Sequence, residues 1–350
     1  MKILKIMGGF LAVIGIVIVG LVSYLTVREY RPTDVEVLIP TNGTQRFSLE
    51  QPFSVTTFNI GYGALGEEAD FFMDGGKNVQ PDNKELIEHN LDGIQTLLKE
   101  NPSDIYLLQE IDRNSRRSYS INQEAYLQDA LQLKSVFAYN FNVDFVPYPW
   151  PPIGRVKSGI ATYTNYLMSN AKRIALPNPF SWPVRTSNLK RALLETRFPI
   201  ENSDKELVLV NLHLEAYDDG QGKIAQTKML MDILSKEYQK GNYVVAGGDF
   251  NQLFEGAQSF PQVSHKVWEP GEMKQEDLPE GLSFAIDDRF PTVRSLDSPF
   301  TGDYQTSKVY VIDGFIVSDN VAIHQVQVID QEFKYSDHQP IKLEFTLKSK

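Results

Sequence analysis

Several apolar runs in this chain end in an acid, an amide or a histidine that a buried strand has no need of. TTFNIGYG places Asn59 after Phe58, and IYLLQEID places Glu110 just beyond Leu107 and Leu108. LVLVNLHLEAY sets His213 inside a hydrophobic run, and VVAGGDFNQ sets Asp249 and Asn251 two apart beyond Val244 and Val245. VYVIDGFIV holds Asp313 between Ile312 and Gly314. YSDHQP puts Asp337 beside His338, just ahead of the alternating strand pattern of Ile341, Leu343 and Phe345. A polar group in an apolar run costs free energy unless it finds a partner. Each alone reads as a satisfied structural group or a turn residue; at the mouths of converging strands they read together as one site. Carboxylates and amides in a chain without cysteine make an oxygen-rich site, suited to magnesium, manganese or calcium over zinc. His213 and His338 add acid–base or phosphate-binding groups that titrate near neutral pH. No G-x-S-x-G elbow and no G-x-x-x-x-G-K-[ST] loop occurs, so serine-triad and P-loop chemistry are unsupported.

The elements that must position these groups alternate along the chain. PFSVTTFNI, DIYLLQE, SGIATYTNY, RALLETRFPI, ELVLVNLHL, NYVVAGGDFN, VYVIDGFIVS and VAIHQVQVI read as strands. Asn83 to Glu100 reads as a helix with Ile87, Leu91, Ile94 and Leu98 on one stripe, stopped at Asn101-Pro102. A second helical run covers about Ile224 to Glu237. There is no internal repeat and no low-complexity tract. The pattern predicts an α/β fold of packed sheets flanked by helices, in one domain over residues 51–350.

The formal charge of −11 leaves no electrostatic footprint for bulk binding to nucleic acid or anionic lipid, although a divalent metal can supply local positive charge for phosphates. The stretch IMGGFLAVIGIVIVGLVSYLTV, residues 6–27, carries no charge and as a helix spans roughly 33 Å, enough for a hydrocarbon core. A cleaved signal peptide has a shorter apolar region and an A-x-A-like site, which is missing around Gly20 to Leu25. Residues 1–30 therefore read as an uncleaved signal anchor of a single-pass protein of the cell membrane. Lys2 and Lys5 face Arg28 and Arg31 across the span; the short basic leader favours an extracytoplasmic catalytic domain. Residues 31–50, with Pro32, Pro40 and Asn42-Gly43, read as a stalk.

Taken together, TFNIGYG, LLQEID, NLHLEAY, GGDFNQ, VIDGFIVS and YSDHQP resemble the endonuclease/exonuclease/phosphatase superfamily, in family order over about residues 52–347. That superfamily contains deoxyribonucleases, apurinic-site endonucleases, neutral sphingomyelinases and inositol-polyphosphate 5-phosphatases. The resemblance implies a four-layer α-β-β-α sandwich with two packed mixed sheets. It also implies hydrolysis of phosphate esters with a divalent cation, usually magnesium. It makes Glu110 the principal metal ligand, with Asn59 and Asp337 close to the metal. Asp249 matches the acid that orients or deprotonates the attacking water, Asn251 the amide that holds the phosphate, and His338 a histidine contacting it. Asp313 matches the carboxylate that fixes the tautomer of His338. His213, shared with the deoxyribonuclease, sphingomyelinase and 5-phosphatase branches, is expected to act on the leaving oxygen or on the phosphorane. His89, His265 and His324 match no motif.

Outside these motifs, FVPYPWPPIGRVKSG (145–159) reads as a rigid proline-rich loop, with Phe145, Tyr148 and Trp150 as candidates for contact with lipid or a ring. DRNSRRSYS offers Arg117, beside Arg113 and Arg116, for a second phosphate or a head group, and RALLE offers Arg191. The expected partners are a phosphodiester substrate, of lipid type or small, and the membrane that holds the N-terminal helix. Nucleic acid stays open as a substrate and is disfavoured, and no obligate protein partner is evident. The alternatives are an extracytoplasmic nuclease of the deoxyribonuclease type and a non-catalytic binder of phospholipid head groups.

Overall fold

Alternation along the central strands decides the layers. On β3 (Ile105–Asp112) the side chains of Ile105 and Leu107 enter one core, while Tyr106 and Leu108 enter another on the opposite face. On β8 (Glu206–His213) Leu207 and Leu209 join Ile105 and Leu107, and Val208, Val210 and Leu212 point away. Period-2 strands that are apolar on both faces must be covered on both, and this requires two sheets face to face with helices outside. The computed structural model, which describes residues 2–218, 220–261 and 268–349, has this arrangement.

One sheet has seven strands, in the order β1 (Val35–Leu38), β6 (Asn170–Ala175), β7 (Ala192–Pro199), β8, β9 (Tyr243–Asp249), β15 (Asp313–Ser318), β12 (Leu282–Ala285). The other has six, β16 (Val321–Val328), β17 (Ile341–Leu347), β2 (Pro52–Asn59), β3, β5 (Gly154–Thr164), β4 (Lys134–Val146). Both sheets are mixed, because β2 with β3 and β8 with β9 run parallel while the other neighbours run antiparallel. Two small ribbons flank the site, β10 (Gln252–Phe254) with β11 (Gly271–Met273), and β13 (Val293–Arg294) with β14 (Val309–Tyr310). Helices α2 (Lys84–Glu100) and α3 (Gln123–Leu131) cover the six-stranded sheet, and α4 (Gln221–Gln239) covers the seven-stranded one. The predicted stripe of α2 is fully buried, and Asn83 caps the helix by accepting from the Leu86 N–H at 2.9 Å. Between the sheets, Gln109 Nε2 donates to Asn211 Oδ1 at 2.8 Å, and Asn211 Nδ2 donates to the Ala161 carbonyl at 2.9 Å.

Two expectations are corrected. Residues 31–50 are not a free stalk: β1 pairs antiparallel with β6, and Gln45 and Phe47 bridge to Tyr166 and Ile200. Phe47 is completely buried and stacks at 4.2 Å on Tyr166. The prolines break this segment into short pieces, but Val35, Val37 and Phe47 still find an open sheet edge and a core pocket to occupy. VYVIDGFIVS is not one strand either. Val309 and Tyr310 pair with the β13 ribbon, and only from Asp313 does the chain join β9 in the large sheet. Ahead of the domain lies α1 (Lys2–Val27), whose Lys5–Val27 portion contains an 18-residue stretch of mean hydropathy 2.6 that is almost wholly exposed, and is long and apolar enough to cross a membrane.

Candidate active site

Strand register assembles the site. His213 ends β8 opposite Asp249 at the end of the parallel β9, and Asp249 faces Asp313 at the start of the antiparallel β15. Three polar groups from three neighbouring strands thus stand in one row. Across the cleft, Asn59 ends β2 opposite Gln109, and a bulge between Leu108 and Ile111 follows at once. Glu110 sits in that bulge with a left-handed φ of 54°, a conformation uncommon outside glycine that turns its carboxylate out of the ladder and into the cleft. Asn251 also holds a left-handed φ, 52°. Such strain persists where the surrounding structure over-determines it. Asp337 and His338 arrive from the turn before β17, and Ser336 anchors that turn by donating to the Asn59 carbonyl at 2.9 Å.

The contacts define two adjoining groups. In the first, His338 Nδ1 lies 2.9 Å from Asp313 Oδ2, and His338 Nε2 and His213 Nε2 lie 3.7 and 3.3 Å from Asp249 Oδ2. Asp249 Oδ1 accepts from the Asn251 N–H at 2.9 Å, and the Asn251 amide donates to the Leu214 carbonyl at 2.9 Å. In the second, Glu110 and Asp337 face the same cleft, with Asp337 buried within the field of Glu110. Asn59 joins the two: its Nδ2 donates to Asp249 Oδ2 at 3.0 Å and to Glu110 Oε1 at 3.3 Å, while its Oδ1 accepts from the Gly61 N–H at 3.1 Å. Gly61 has to be glycine, since its φ is 51° and a Cβ there would lie 2.9 Å from Asp337 Oδ1.

Burial and mutual charge set the protonation states. Burial pushes Asp249 up to about 6, with Asp313 adding to the rise. Burial also pushes Asp337 up to about 7, with the negative charge of Glu110 adding to it. Burial opposes the charged form of His338, but Asp313, Asp249 and Asp337 together raise it well above the ordinary histidine value, so it is an imidazolium at neutral pH. His213 goes the other way, lowered well below that value by burial and by the cations Arg191, His338 and Arg117, so it is neutral. Glu110 and Asp337 are hard oxygen donors on one cleft, and the charge of Glu110 together with burial disfavours a second negative charge on Asp337, a penalty that a divalent cation would relieve. The trio Asp249, Asp313 and His338 also brings its ligand atoms within 4.8 Å of one another. It could take a cation only with His338 deprotonated, which its carboxylate neighbours oppose.

These states predict a pH-dependent response to metal. Asp249 and Asp337 have folded-state values raised above the ~4 of an unfolded chain, so the stability they contribute is full below about pH 4 and is lost as pH rises through about 6 and about 7. His338, also raised, acts in the same direction above about pH 6.5, whereas the lowered His213 opposes the loss only below about pH 6.5. In cation-free buffer the melting temperature is expected to fall from about pH 6.5 to about pH 8, and added magnesium should raise it more at the higher pH than at the lower. Equal shifts in a thermal melt at the two pH values would exclude the carboxylates as the binding site.

Asn59, Glu110, His213, Asp249, Asn251, Asp313, Asp337 and His338 come together in or directly behind one cleft of about 370 Å³, with Asn59 and Asp313 as the groups behind. Arg191 lines it, tied to Glu215 at 3.3 Å and to the His213 carbonyl at 3.1 Å. Arg117 lines it too, paired with Asp112 at 3.1 Å and stacked 3.6 Å over the Tyr62 ring. Trp150 is absent from the lining and 90% exposed, whereas Tyr148 from the same loop does line the cleft. His89 packs edge-on to Tyr335 and His324 lies 2.6 Å from the Thr346 hydroxyl, and neither lines the cleft; His265 lies outside the described residues. Sequence reasoning missed the Asp74–Tyr217 pair, in which the tyrosine donates at 2.8 Å on the cleft wall, and the Glu215 clamp on Arg191. Glu215 could have been found, because it follows His213 by two in NLHLEAY; Asp74 stands in a loop with no pattern around it.

A four-layer sandwich whose strand mouths gather carboxylates, amides and two histidines defines a class of phosphoesterase scaffold. The model of the Endonuclease/Exonuclease/phosphatase family matches residues 56–338, and the chain belongs to that family. Its members are phosphodiesterases, nucleases and phosphatases that use divalent metals. Among solved structures, the chain is similar to an endonuclease/exonuclease/phosphatase from Beutenbergia cavernae, at 14% identity and a TM-score of 0.57 over 86% of this chain and 72% of that one. One from Bacteroides vulgatus gives 15% identity and 0.57, over 85% and 100%. The human Nocturnin catalytic domain gives 17% and 0.52, over 85% and 95%. At these identities the likeness is one of fold. No curated protein matches by sequence.

Proposed function

We propose that this protein is a divalent-metal-dependent phosphoric ester hydrolase that cleaves phosphodiesters by attack of activated water, with a lipid head group or a similarly small diester as substrate. The observation that carries this reading is the buried row of Asp313, His338, Asp249 and His213, with Asp313 and His338 2.9 Å apart and Asp249 within 3.7 Å of both histidines. Asp313 holds the His338 imidazolium with its Nε2 toward the cleft, where a fixed positive charge stabilises the anionic phosphorane. His338 is thereby a charge stabiliser and not the base. Asp249, a carboxylate at neutral pH and the acceptor of hydrogen bonds from Asn59 and Asn251, takes the proton from water. His213, neutral, donates an N–H to a phosphoryl oxygen. Glu110 and Asp337, with Asn59, would hold magnesium, or manganese or calcium in its place, and such an ion supplies Lewis-acid stabilisation of phosphoryl charge.

The cleft wall beyond these groups is apolar, formed in part by Phe71, Met73, Phe141, Tyr148, Phe180 and Val184. Duplex DNA offers no apolar part to such a wall, and this favours a lipid-type diester over the nuclease alternative. We place the protein in the membrane through α1 with its domain extracytoplasmic. A turnover screen with magnesium against sphingomyelin, phosphatidylinositol phosphates, glycerophosphodiesters and plasmid DNA tests the reading. Release of a head group from at least one lipid diester is the expected result; turnover of plasmid alone would make it a nuclease, and turnover of nothing would leave a head-group binder.

A further inference from the structure

The end of α1 is bonded to the rim of the catalytic cleft. Trp182 Nε1 donates to Thr26 Oγ1 in the last turn of the helix at 3.0 Å. Immediately beyond the helix, Arg28 meets Asp144 at 2.7 Å, and Glu29 meets Lys190 at 3.1 Å and Arg185 at 3.3 Å. Leu25 is buried at the same junction. The two segments that receive these bonds, 180–190 and 141–153, are the ones that send Phe180, Val184, Leu189, Phe141, Tyr148 and Ile153 into the cleft. The same segments leave apolar surface open at the cleft mouth: Trp150 is 90% exposed and Trp182 54%, and the lining residues Val184 and Tyr148 are themselves 48% and 43% exposed. Trp150 stands six residues after Asp144, so chain reach holds it within about 20 Å of Asp144, the residue that pairs with Arg28 at the helix end.

We infer that this rim is a membrane-docking surface and that the cleft opens onto the bilayer in which α1 is embedded. Two observations converge on a bilayer as the occupant. A helix long and apolar enough to span ends within one residue of the rim, with no free linker to let the domain swing away. Exposed tryptophan and tyrosine gathered beside the end of such a helix match the amphipathic belt that sits at head-group level. A water-facing rim of this composition would have no compensation. On the hydrolase reading above, the substrate is then a membrane-resident phosphodiester, whose head group moves up into the cleft while its chains stay against the apolar wall.

The chain has no cysteine, so a single probe can be placed on the full-length protein without other changes. Trp150→Cys, Trp182→Cys and, as the reference, Gln239→Cys are labelled with bimane and reconstituted in phosphatidylcholine–phosphatidylglycerol nanodiscs. Gln239 closes α4 just before β9 begins, at the end of that strand opposite Asp249. Nitroxide-labelled lipid is expected to quench emission at 150 and 182 by at least about twofold more than at 239. Quenching at 150 no greater than at 239, whether or not 182 responds, overturns the docked rim, as does protection of position 150 by a second copy of the chain in place of lipid. The measurement uses no turnover, so a protein quenched as expected that hydrolyses no phosphodiester fails the hydrolase reading alone.

Discussion

His338→Ala is expected to lower turnover of a phosphodiester by about a hundredfold or more, the scale for losing preorganised charge stabilisation. The imidazolium exists because three carboxylates, Asp313, Asp249 and Asp337, overcome the penalty of burying it. Asp313 makes the closest contact, 2.9 Å to Nδ1, and so fixes both the ring's orientation and its charge. Asp313→Asn removes the charge at nearly constant shape and is expected to resemble His338→Ala. The double variant should cost little beyond either single one, because a residue that acts only through its partner has nothing left to do when the partner is gone. Steady-state kinetics of the four proteins decides the matter. Independent, multiplying losses would show that Asp313 does not work through His338. A thermal melt accompanies each variant, since removing one member of a buried ion pair leaves the other uncompensated and can cost several kcal/mol of stability.

Chelation is expected to abolish activity altogether, with magnesium or manganese restoring it. Glu110→Gln should weaken metal affinity and turnover together, each by about a hundredfold on the same electrostatic scale. This substitution is informative because Glu110 owes its place to backbone: the bulge and the left-handed φ aim the side chain, and the amide of glutamine can still accept from Asn59 Nδ2. What is lost is the charge. Manganese titration followed by electron paramagnetic resonance, alongside kcat, separates binding from chemistry. Full activity in excess chelator would sink the metal assignment, and a normal manganese affinity in Glu110→Gln would move the site to the Asp249, Asp313 and His338 trio.

Much of this was legible in the chain itself. Strand and helix patterns depend on neighbours within a few residues, and so β2, β3, β8, β9 and α2 appear where periodicity places them. The chemical inventory was legible as well, because a carboxylate or histidine in an apolar run is conspicuous against its surroundings, as with His213 in LVLVNLHLEAY. The N-terminal apolar span could be read by length alone. Register, handedness of approach and docking could not. That His213, Asp249 and Asp313 stand in one row follows from β8 pairing parallel and β15 antiparallel to β9, contacts between segments far apart in sequence. That Glu110 leaves the ladder depends on a bulge against β5. That residues 31–50 are an edge strand and a buried Phe47, where composition says stalk, depends on an open edge of β6 that no local pattern announces. The sequence by itself determined which elements form and which groups can do chemistry, since both are local properties. Only the tertiary structure decided which groups meet, which side chain of the 145–159 loop faces the cleft, and how closely the apolar helix is held to it, because those depend on long-range pairing.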